Sequence, residues 1–152
     1  MSFTNDDAIK CLNDLIETCR DGQRGFESAA EAVKEPRYKD LFRRNSLQRA
    51  RFVTELQGEV SRLGGKAESE GTTAGALHRG WINLKTALSS RDEKAVLAEC
   101  ERGEDHAVKV YGEAVEQPLP EPARAIVRRQ YSEVRLAHDT MRDLRNLEKH
   151  AD

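Results

Sequence analysis

Five residues in this 152-residue chain could together do metal chemistry: Glu27, Glu101, Glu104, Glu133 and His138. Carboxylates and imidazole hold iron or manganese inside helical bundles, where the carboxylates neutralise and bridge the metal charge. Glu101-x-x-Glu104 has the i, i+3 spacing that puts both side chains on one helix face. Two-metal bundles also use a Glu-x-x-His motif on each of two helices. No histidine here has that partner: three residues before His78, His106, His138 and His150 stand Gly75, Gly103, Arg135 and Leu147. Where the other motif would fall on the second helix, the chain carries Gln48 and Arg51, and an arginine cannot ligate a cation. The five residues could still hold one metal. The competing reading is a hydrogen-bonded core in which Arg49 pairs with Glu101 or Glu104 and Gln23 bridges to Gln48. The missing motif and the nearby arginine favour the second reading.

Helices must bring these side chains to one height. Ile9, Leu12, Ile16, Cys19, Gln23, Phe26, Ala30 and Val33 recur at alternating steps of three and four, the seam of a bundle helix over 6–34. Pro36 ends it, and a second helix over 37–63 turns Tyr38, Leu41, Phe42, Asn45, Gln48, Arg49, Phe52, Leu56 and Val60 inward. So short a connection makes the two antiparallel neighbours. Gln23 and Glu27 then precede the turn by nearly the distances at which Asn45, Gln48 and Arg49 follow it. Helices over 91–116 and 122–147 supply Glu101, Glu104, Glu133 and His138 at the same level, within about a turn at ~1.5 Å per residue. A core that admits polar groups at one level needs mutual hydrogen bonds or a bound ion.

Loop length decides the topology. An up-down-up-down bundle needs only a few residues between its second and third helices. Here the connection is far longer and holds a short helix over 74–88, with Ala74, Leu77, Trp81, Leu84 and Leu88 on one face. That length suits a crossover spanning the bundle's height, leaving the third long helix parallel to the second. Trp81 would anchor the crossing helix. No strand pattern appears, so the fold class is all-α: one domain, 1–152, an antiparallel four-helix bundle with a long crossover. Thr4 with Asp7 and Ser90 with Glu93 read as capping boxes, and Gly64-Gly65 as a helix stop. Gly22 and Gly25, costly inside a helix, suggest close approach to a neighbouring helix.

Composition narrows the classes of function. Charged residues form 34% of the chain and aromatics 5%, a long-helix profile. A net charge of −2, with basic and acidic residues interleaved, argues against nucleic-acid binding. No apolar stretch suits a membrane span or signal peptide. Cys11, Cys19 and Cys100 form no C-x-x-C and no paired framework, which points to the cytoplasm. No Ser/His/Asp or Cys/His arrangement and no phosphate-binding glycine loop can be assembled.

Several runs resemble a known group: Leu12-Asn-Asp-Leu-Ile-Glu-Thr-Cys-Arg-Asp-Gly22 with Gly25-Phe-Glu27, Ala76-Leu-His-Arg-Gly-Trp81, Cys100-Glu-Arg-Gly-Glu-Asp105 and His138-Asp139. They are similar to bacterial ferritin-like four-helix-bundle proteins of unknown function, a conserved hypothetical family distantly related to rubrerythrins and bacterioferritins. The resemblance implies a ferritin-like fold. The distant relatives bind two irons, handle peroxide or store iron, and such bundles often pair along their first two helices. The expectation for this chain is a ferritin-like bundle without enzymatic activity or cofactor, its core holding a degenerate polar layer of Gln23, Asn45, Gln48 and Arg49. The alternative is an iron or manganese protein using Glu27, Glu101, Glu104, Glu133 and His138, with an oxidoreductase or stress role. The oligomeric state stays open, a homodimer through bundle helices being one option, and so does any other protein partner or a ligand in the core.

Overall fold

Each long helix begins and ends where the sequence satisfies its unpaired backbone groups. The computed structural model describes residues 2–67 and 80–149. Helix α1 spans Asn5–Ala32 and opens on the expected capping box: Thr4 N donates to Asp7 Oδ2 at 2.8 Å, and Asp7 N donates to Thr4 Oγ1 at 3.1 Å. Helix α2, Pro36–Arg62, starts on its proline, whose missing N–H costs nothing there. It stops at Gly64, φ +85°, where Gly65 N donates to Val60 O.

The crossing helix is shorter than the sequence suggests. Helix α3 covers only Leu84–Ser90. Gly80 takes φ +77°, a left-handed conformation that a continuous helix cannot contain, so Trp81 enters from a turn. Residues 68–79, including Ala74, Leu77 and His78, lie outside the described residues, as does His150.

Helices α4, Glu93–Ala114, and α5, Ala123–Lys149, form the second long pair. The α4 cap differs from the expected box. Asp92 is the N-cap and accepts from Lys94 N, while Ser90 Oγ accepts from Asp92 N. Glu93 is thereby free to reach a different element. Its Oε1 accepts from Lys34 N at 2.8 Å and Glu35 N at 3.1 Å, tying the α1–α2 turn to the start of α4.

Contacts at the helix ends fix the directions. Lys34 meets Glu93 at one end, and Arg62 donates to the carbonyl of Glu121 at the other. Helix α4 therefore starts where α1 ends and runs parallel to α2, as the loop length requires. Helix α1 packs on α2 and α4, and α5 on α4 and, more loosely, α2. The result is all-α, with no strand among the described residues. No described helix is long and apolar enough to cross a membrane.

The interior divides into two apolar clusters. One gathers Leu12, Ile16, Phe52, Leu56, Tyr111 and Val134, and the other Phe26, Phe42, Trp81, Leu97 and Met141. On each long helix the boundary falls between the same levels. Gln23, Arg49 and Glu104 sit at that boundary.

Candidate functional site

Arg49 and Glu104 close the boundary layer. Arg49 Nη1 donates to Glu104 Oε1 at 2.6 Å and Nη2 to Oε2 at 2.8 Å, so both carboxylate oxygens are engaged by one planar guanidinium. Arg49 is 1% exposed and Glu104 0%. The guanidinium also donates through Nε to Gln48 Oε1 at 3.2 Å and lies 5.6 Å from the Phe26 ring centroid. Burial alone would lower the arginine's pKa, but the charge and hydrogen bonds of Glu104 outweigh it and the pKa rises. Gly22 makes room for this arrangement: a Cβ there would stand 3.1 Å from Arg49 Nη1.

A separate hydrogen-bonded chain lies within electrostatic reach of this pair. Cys19 Sγ and Tyr111 Oη lie 3.0 Å apart, Tyr111 donates to Gln130 Oε1 at 2.7 Å, and Gln130 Nε2 donates to Glu55 Oε1 at 3.1 Å. Glu55 in turn pairs with Arg129 at the surface. Burial pushes the Cys19 thiol up to about 11 and the Tyr111 phenol well above its usual value. Both therefore stay protonated near neutral pH, as befits hydrogen-bonding core residues rather than a nucleophile and its base.

The other anticipated residues are dispersed. Glu27 is exposed. Glu101 is half-buried and accepts from Arg145 Nη1 at 3.0 Å. Glu133 faces outward beside Arg129, 3.5 Å away. His138 bridges two aspartates at the α4–α5 seam: Nε2 is 2.6 Å from Asp105 Oδ1 and Nδ1 is 3.1 Å from Asp139 Oδ1. Asn45 is buried, and Gln23 is half-buried with its main-chain carbonyl accepting from Ser46 Oγ. Of the five acid and histidine candidates, only Glu104 enters the core layer. Among the described residues no three His, Cys, Asp or Glu side chains are grouped as a metal site. The donor set does not fit a metal as it stands, because Glu104 already carries a cation. Gln48 also turns to Arg49 rather than bridging to Gln23, since a buried guanidinium has more donors to satisfy.

Some participants carry little signal in the sequence. Tyr111 and Gln130 occupy apolar stripes where they pass as packing residues, although Gln130 interrupts its stripe just as Gln23 does. Glu99, 2% exposed, accepts from Asn83 N at 2.7 Å and fixes the approach to α3. Trp81, 2% exposed, packs edge-on to Phe26 with centroids 5.1 Å apart. It fills the space left by Gly25 on α1 and Gly103 on α4. The glycine in α1 thus admits a side chain rather than a neighbouring helix.

No curated protein matches the chain. A family match begins in the first turn of α1 and ends just beyond α4, taking in Arg49, Glu104 and Trp81 but not α5. The chain belongs to the family described as a domain of unknown function (DUF2383), which matches residues 7–117.

Proposed function

We propose that this protein is a ferritin-like bundle in which an internal arginine takes the place of a metal centre, and that it works without catalysis, through its surface. The observation carrying this reading is the bidentate Arg49–Glu104 pair, sealed from solvent between two apolar clusters. A guanidinium supplies the positive charge that bundle carboxylates otherwise obtain from metal, and it has no lone pair of its own to coordinate one. The parallel run of α2 and α4 supports the ferritin-like assignment. Three free thiols, two of them buried, suit a reducing compartment such as the cytoplasm.

Metal binding by Glu27, Glu101, Glu104, Glu133 and His138 is the competing reading, and it requires Arg49 to leave Glu104. Anaerobic purification with added Fe(II), Mn(II) or Zn(II), followed by metal analysis, separates the two. The expected result is metal far below one ion per chain and no carboxylate-bridge absorption band. Stoichiometric iron whose absorption disappears in Glu104→Ala would overturn the proposal.

A further inference from the structure

We draw no further inference here: the strongest candidate, the groove between α2 and α5 lined by the exposed Leu47 and Leu136, is open to solvent and nothing in the structure shows what covers it.

Discussion

Removing Arg49 would strand Glu104 away from solvent without its partner, which makes the pair's energetics asymmetric. Arg49→Met should cost about 3–5 kcal/mol, the usual penalty for orphaning one member of a buried ion pair. Replacing both, as Arg49→Met with Glu104→Leu, should cost far less, because the desolvation of two charges vanishes together with their attraction. Urea unfolding of the two variants beside the wild type measures the difference. A double variant as unstable as the single would mean that packing rather than charge dominates here. At this scale the sequence is only half legible. That Arg49 would meet an acid on α4 follows from polar residues interrupting apolar stripes at equal heights. The choice of Glu104 over Glu101 does not, because the two differ by less than one turn and helix starts inferred from sequence are uncertain by as much. His138 shows another limit. Its partners Asp105 and Asp139 lie on a seam whose rotation no apolar stripe specifies.

Among the elements, Trp81 ties the approach to α3 onto α1 and α4 through one side chain. It fills the gaps that Gly25 and Gly103 leave on α1 and α4, and a Cβ at Gly25 would approach its ring to 2.6 Å. Gly103→Ala should therefore destabilise the fold by about 1–3 kcal/mol, a typical overpacking cost. Combining it with Trp81→Leu should recover part of that loss, as thermal or chemical melts of the two variants would show. The α4–α5 seam has its own signature in pH. Partial burial disfavours charged His138, yet its hydrogen bonds to Asp139 and Asp105 and their charges prevail and raise its pKa. Such a group stabilises fully below its unfolded pKa of about 6.5 and loses that contribution as pH rises through the higher folded value. The melting-temperature advantage of wild type over His138→Gln should thus shrink as pH rises above about 6.5. An advantage that grows with pH would contradict the clamp. The long helices are readable because uninterrupted three-four spacing leaves little choice of face. Helix α3 is not, because Leu84 and Leu88 continue a stripe that Gly80 breaks through its backbone rather than its side chain.

For the molecule as a whole, the connection between α2 and α4 sets helix direction, and direction decides which side chains share a level. That inference needs only loop length, so the topology is legible before any contact is known. The groove between α2 and α5 is not, since it depends on how far two correctly assigned helices stand apart. The family match stops before α5, yet α5 places Val127, Val134 and Met141 in the core with no exposure. A chain ending at residue 117 should consequently lose cooperative thermal unfolding, which calorimetry would detect. A sharp transition in that fragment would mean α5 is dispensable. The most direct test of the arginine-closed core is the melting temperature of the intact protein under anaerobic conditions, with and without excess Fe(II), Mn(II) or Zn(II). A site filled at a hundred times its dissociation constant would add about 2.7 kcal/mol, enough to raise the transition by several degrees. If Arg49 occupies the place of the metal, the transition should not move. A rise of several degrees that Glu104→Gln abolishes would show that the core accepts a metal after all.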